Sequence, residues 1–130
     1  MSATVKEMVA AAQAIVPGIS TDAAQAKVAE GALLLDVRDG TELAASGTAE
    51  GAHHVPRGML EFRADPASPL HDPELRADRP VILFCAAGGR AALAGQTLLA
   101  MGFAEVYNLG GFKDWKEAGA PVTEPLDKGM

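Results

Sequence analysis

Two kinds of apolar pattern alternate along the chain. Ala32-Leu33-Leu34-Leu35-Asp36-Val37 and Val81-Ile82-Leu83-Phe84-Cys85 are short, continuous apolar runs, as expected of strands buried on both faces of a parallel sheet. Glu105-Val106-Tyr107-Asn108 reads as a further strand, and Ala52-His53-His54-Val55 as a short one stopped by Pro56. Helical spacing fills the gaps. An amphipathic helix is expected over residues 5–16, broken by Pro17-Gly18. A second begins at the candidate caps Ser20 and Thr21 and runs to Glu30, where Gly31 stops it. A short helix over 41–45 should end near Gly47, and a longer one over 90–101 at Gly102. Gly110-Gly111 reads as a turn before a last short helix, Phe112–Glu117. Residues 58–79 hold Pro66, Pro69 and Pro73, which predicts irregular chain with one or two brief helical turns. Strands alternating with helices define an α/β class: a central parallel β-sheet flanked by helices on both faces.

A chain of 130 residues without internal repeats suits one domain. Its net charge of -6 argues against a general nucleic-acid binder, which would present a basic face. An anionic substrate would therefore need a local positive site. No stretch approaches the roughly 18–20 apolar residues of a membrane span. The first residues also lack the basic-then-apolar layout of a secretory leader. The expected setting is cytoplasmic, with neither nucleic acid nor membrane as partner.

The chain has one cysteine, Cys85, which excludes an internal disulfide and a thiolate-rich zinc site. A lone thiol is by default a packing residue, so its neighbours decide. Cys85 ends the most apolar strand, and Ala86-Ala87-Gly88-Gly89-Arg90 then leads into a helix. In parallel α/β folds, sites form at the carboxyl ends of strands. Gly88 and Gly89 permit backbone angles that aim successive amides at one centre. The helix adds the positive end of its dipole, and Arg90 a permanent cation. All three favour an anion, so the thiol is expected to ionise readily and react. Small Ala86 and Ala87 should leave the loop mouth open.

These residues resemble a known family. Cys85-Ala86-Ala87-Gly88-Gly89-Arg90 is similar to the Cys-x-x-Gly-x-Arg active-site loop of single-domain rhodaneses. Leu35-Asp36-Val37-Arg38 resembles the family's first signature, and Gly51-Ala52-His53-His54-Val55-Pro56-Arg57-Gly58 a looser form of its Gly-His-Ile-Pro-Gly-Ala segment. Leu109-Gly110-Gly111-Phe112 with Trp115 resembles its closing signature. The four stand in the family's order between Ser20 and Val122. The resemblance implies a rhodanese domain over 19–130 behind a helical extension over 1–18. It also implies sulfur transfer through a persulfide on Cys85, without metal or cofactor. Thiosulfate or a persulfide would be the small-molecule donor, and cyanide, a thiol or an acceptor protein the acceptor. Cys85 and Arg90 would be catalytic, with Ala86, Ala87, Gly88, Gly89 and Arg38 binding the substrate.

Two alternatives stand beside this. A non-turnover persulfide carrier or regulatory binding module would use the same cysteine. A phosphatase or arsenate reductase of related fold would need one residue more between Cys and Arg, to surround a tetrahedral oxyanion. Of the remaining residues, Asp36 and Arg38 read mainly as an ion pair at a strand end. His53 and His54, adjacent on a strand, face opposite ways and read as structural. Arg57, Arg63, Arg76 and Arg79 read as surface charge, and Phe112 with Trp115 as core packing. Glu42, Glu50 and Glu61 show no acid/base pairing.

Overall fold

Strands form where the chain is continuously apolar. The computed structural model describes residues 2–125. In it β1 (Leu33–Asp36) and β3 (Val81–Cys85) lie side by side, every residue buried. The short β2 (His53–His54) and the longer β4 (Val106–Gly111) flank them in the order β2-β1-β3-β4, with all pairings parallel. The pleat divides the side chains between two cores. Leu33, Leu35, Val81, Leu83 and Cys85 join Val16, Leu60, Ala91, Ala94 and Leu98 on one face. Leu34, Ile82 and Phe84 join Ala24, Leu109, Phe112 and Trp115 on the other. The first face is covered by α1 (Val5–Ile15), α4 (Leu60–Ala64) and α5 (Gly89–Ala100), and the second by α2 (Thr21–Ala29) and α6 (Phe112–Glu117). The short α3 (Gly40–Ser46) follows β1. This is the α/β architecture the pattern predicts.

Helix ends follow local chemistry. A reciprocal cap between Thr4 and Glu7 starts α1, and Ser20 Oγ accepts from the Ala23 amide at 3.2 Å to start α2. The predicted bounds hold within about a residue. The first helix packs on α5, with Val9 against Gly89 and the C-capping Val16 against Gly95. Beyond it, the Asn108 amide donates to Pro17 O (2.8 Å) and the Ile19 amide to Asn108 O (3.0 Å), so residues 17–19 lie along β4. In the proline-rich stretch a single 3-10 turn, Arg57–Met59, leads into α4.

The glycine pair departs from expectation. Gly110-Gly111 is not a turn but the end of β4, where Phe84 pairs with Gly110 and Cys85 with Gly111. Leu83 pairs with Asn108, which leaves Leu109 as the extra residue of a β-bulge. Gly110 takes φ +102°, a conformation other residues rarely adopt. Glycine pairs mark turns and bulges alike in sequence, and only the pairing partner distinguishes them.

Candidate active site

Three carboxyl-terminal strand ends, β1, β3 and β4, meet at one rim, and β3 delivers Cys85 there. The chain then reverses into α5 through Gly88, at φ +108°, the N-cap of that helix. This turn aims the Gly88 amide at the sulfur: N to Sγ is 2.9 Å. The positive end of the α5 dipole thus faces Cys85. Asn108 braces the loop from the side. Its Nδ2 donates to Gly88 O (3.1 Å), while its Oδ1 accepts from the Gly110 amide (2.8 Å), tying the loop to the bulge. Gly111 lies so close that a Cβ there would overlap the Ala86 carbonyl.

Two expectations need correcting. The loop mouth is not simply open: Ala86 and Ala87 are exposed at the rim, but Cys85 is only 1% exposed. The backbone wraps the sulfur, so small side chains at the rim do not expose it. Nor is the Arg90 charge unspent. Its guanidinium makes a forked contact with Glu42, Nη1 to Oε1 at 2.7 Å and Nη2 to Oε2 at 3.1 Å. Hydrogen bonding to Arg90 is the main reason the Glu42 carboxyl is lowered to about 2. The same contact pushes Arg90 further up.

The structure brings Cys85, Ala86, Ala87, Gly88, Gly89 and Arg90 together as one loop, with Arg38 beside it. Arg38 is 3% exposed and heavily committed. Nε and Nη2 donate to the Asp36 carboxylate, Nη1 to Ser46 Oγ (3.2 Å) and Nη2 to Gly47 O (2.7 Å). Thr48 Oγ1 donates to the same carboxylate at 2.7 Å. The guanidinium also stacks over Phe112, 4.5 Å from the ring centre. His53 bonds Asp72 (2.5 Å) and His54 bonds Arg38 O (2.7 Å). Arg57 bonds Glu61 and Thr97, and Arg79 bonds Gly31 O and Glu74. None of these histidines or arginines enters the loop's bonding network.

Sequence reasoning missed Glu42, Asn108 and two lysines of α6. Glu42 carries one sequence signal, its place three residues after Asp39, whose amide donates to Glu42 Oε1 at 3.1 Å. That marks a helix start, not a partner 48 residues away. Lys113 and Lys116, with Phe112, Glu117, Arg38 and Ala86, line a cleft of about 330 Å³ next to the loop. Among the described residues, no group of three or more His, Cys, Asp or Glu is placed to hold a metal ion. None of the described helices is long and apolar enough to cross a membrane.

A buried cysteine at the carboxyl end of a parallel strand, under the amino terminus of the following helix, defines a class of cysteine-loop α/β domains. Comparison gives the family. The rhodanese-like domain model matches residues 20–118, so the chain belongs to the rhodanese-like domain family. A thiosulfate sulfurtransferase of Actinobacillus pleuropneumoniae is 32% identical over 94 residues, 72% of this chain and 79% of that one. An uncharacterized Bacillus subtilis protein is 40% identical over 85 residues, 65% of this chain and only 60% of its own length. Among solved structures, a Rhodopseudomonas palustris protein of unknown function, described as a possible tyrosine phosphatase, superposes with TM-score 0.85 at 33% identity. That match covers 95% of this chain and 96% of the other. The polysulfide-sulfur transferase homodimer of Wolinella succinogenes matches with TM-score 0.74 at 35% identity, over 96% of this chain and 90% of the other.

Proposed function

We propose that the protein is a sulfurtransferase that carries sulfur as a persulfide on Cys85. The observation that carries this reading is the Gly88 amide directed at the sulfur at 2.9 Å beneath the α5 amino terminus. An electropositive cradle of this kind stabilises either a thiolate or the terminal sulfur of a persulfide. Similarity to the Actinobacillus and Wolinella transferases supports it. With thiosulfate as donor, the Cys85 thiolate attacks the sulfane sulfur. The new S–S bond forms as the old one breaks, and sulfite leaves with the electron pair. Cyanide then attacks the outer sulfur, releasing thiocyanate and regenerating the thiolate. Neither step calls for a metal or cofactor.

In this reading the amides of Ala86, Ala87, Gly88, Gly89 and Arg90 hold the outer sulfur. Arg90 acts through its fork with Glu42, shaping the loop rather than meeting the donor as a free cation. Arg38 serves as a wall of the site, its donors already engaged by Asp36, Ser46 and Gly47. A phosphatase reading fits this loop poorly. Only four residues separate Cys85 from Arg90, a ring suited to one sulfur atom rather than a phosphate. The near-complete burial of Cys85 favours a second reading, a carrier that loads readily and discharges only to a docked partner.

Intact-protein mass after incubation with thiosulfate, then with cyanide, tests the proposal. A gain of one sulfur atom that cyanide removes as thiocyanate is expected. The Cys85→Ser variant should fold normally and gain nothing; if it still transfers sulfur, the mechanism is wrong. Loading with poor turnover to small acceptors would favour the carrier.

A further inference from the structure

At the sulfur end of the site, positive charge is spent. Arg90 is forked onto Glu42, and Arg38 is buried on Asp36. A cation available to a ligand must therefore come from elsewhere, and α6 supplies it. The cleft beside the loop starts at Ala86, the residue after Cys85, and is floored by the Phe112 ring and the face of Arg38. Lys113 and Lys116, from the same helix as Phe112, also line it. Lys116 has no ion-pair partner among the described residues, and its ammonium lies 5.4 Å from the Phe112 ring centre. Lys113 meets Glu117 only at 3.9 Å, with both side chains well exposed, a loose pair that leaves the ammonium free to turn to a ligand while the cleft keeps one net positive charge from the two lysines. The cleft thus runs from a sulfur end where the side-chain charges are paired and only backbone amides remain to face the anion, past the Phe112 ring, to two ammoniums set against the single carboxylate of Glu117. Its volume, about 330 Å³, leaves room for a ligand several times the size of a thiosulfate ion.

We propose that this cleft is the subsite for a low-molecular-weight organic thiol bearing carboxylates, with its carbon skeleton on Phe112 and its carboxylates facing Lys113 and Lys116. The inference rests on the persulfide reading of Cys85 and names the acceptor class for it. In the transfer, the acceptor thiolate attacks the outer sulfur of the Cys85 persulfide. The bond between the two persulfide sulfurs breaks, and a free organic persulfide leaves while Cys85 returns as thiolate. Placement of the charge on α6 lets the cleft select the carrier without adding a cation beside the reacting sulfurs.

The test uses glutathione and its diethyl ester, the same thiol with its carboxylates masked, as acceptors from protein preloaded with thiosulfate. In the Lys113→Glu/Lys116→Glu double variant, the ratio of kcat/KM for glutathione over its ester should fall about five- to tenfold. The fall should appear mainly in the glutathione KM. A ratio within about twofold of the starting protein's overturns the subsite. Binding of S-methylglutathione to unloaded protein, followed by NMR shifts, gives a readout independent of turnover. Loss of binding in the double variant supports the subsite, and binding equal in both proteins overturns it. If the starting protein fails to gain sulfur from any donor, the persulfide reading fails instead, and this binding measurement still decides the subsite.

Discussion

Glu42 joins two helices at their starts: Oε1 accepts from the Asp39 amide at the head of α3 and, with Oε2, grips Arg90 at the head of α5. A fork of this kind between partly exposed groups contributes about 1 kcal/mol. Its carboxyl is held at about 2 in place of 4.5. A depressed acid stabilises the fold fully above its unfolded value and loses that contribution as pH falls through the folded one. Glu42→Gln should therefore lower the melting temperature at neutral pH, and the gap to the parent should close between pH 4.5 and about 2. A gap that stays constant over that window would show that ionisation of Glu42 does not contribute. Gly111→Ala tests the other side of the loop. Its Cβ would overlap the Ala86 carbonyl, and relieving that overlap displaces the loop by about 1 Å, which should slow sulfite release from thiosulfate about 100-fold. Of these residues, the loop from Cys85 to Arg90 is legible in sequence because it is contiguous and its parts act locally. Glu42, Asn108 and the α6 lysines are not, because each acquires its role only through a neighbour that folding brings near.

The interface of α1 with α5 is closed by a missing side chain. Gly95 faces Val16, and a Cβ there would stand 2.8 Å from Val16 Cγ1 and 3.0 Å from Cγ2. Val16 is buried, so it has little room to yield. Gly95→Ala should cost about 1–2 kcal/mol through overpacking, despite the better helix propensity of alanine. Thermal melting should show a drop of about 3–8 °C; a gain would mean that α1 rides loosely on α5. Elements were readable to different degrees for a physical reason. β1 and β3 are buried on both sides, so their apolar runs are unbroken. β2 is two half-buried histidines, visible mainly because Pro56 ends it. The bulge in β4 depends on which residue of β3 each glycine meets, and a one-dimensional pattern carries no such information.

On the scale of the whole molecule, the segments outside the family match are stitched to it at both ends. Residues 17–19 lie along β4, while Thr123 and Pro121 strap the loop after α3. The Thr123 amide donates to Thr48 O (2.8 Å), the Thr48 amide to Thr123 Oγ1 (3.0 Å), and the Trp115 indole to Pro121 O (2.7 Å). Thr48 in turn bonds the Asp36 carboxylate that holds Arg38. Ending the chain at Ala120 removes about 2–3 kcal/mol of net hydrogen bonding, which should lower the melting temperature by about 10 °C. An unchanged melt would make the strap incidental. The parallel sheet and its site rim were legible at this scale, but the stitching was not, since single backbone bonds leave no compositional trace. The single cysteine has a consequence of its own. In the proposed persulfide state, the sulfur atom on Cys85 has no second thiol among these 130 residues to move to, and its seat is almost closed to solvent. Discharge from such a seat would wait on an acceptor from outside this domain, so the dwell time of the cargo would be set by the arrival of a recipient that fits the aperture.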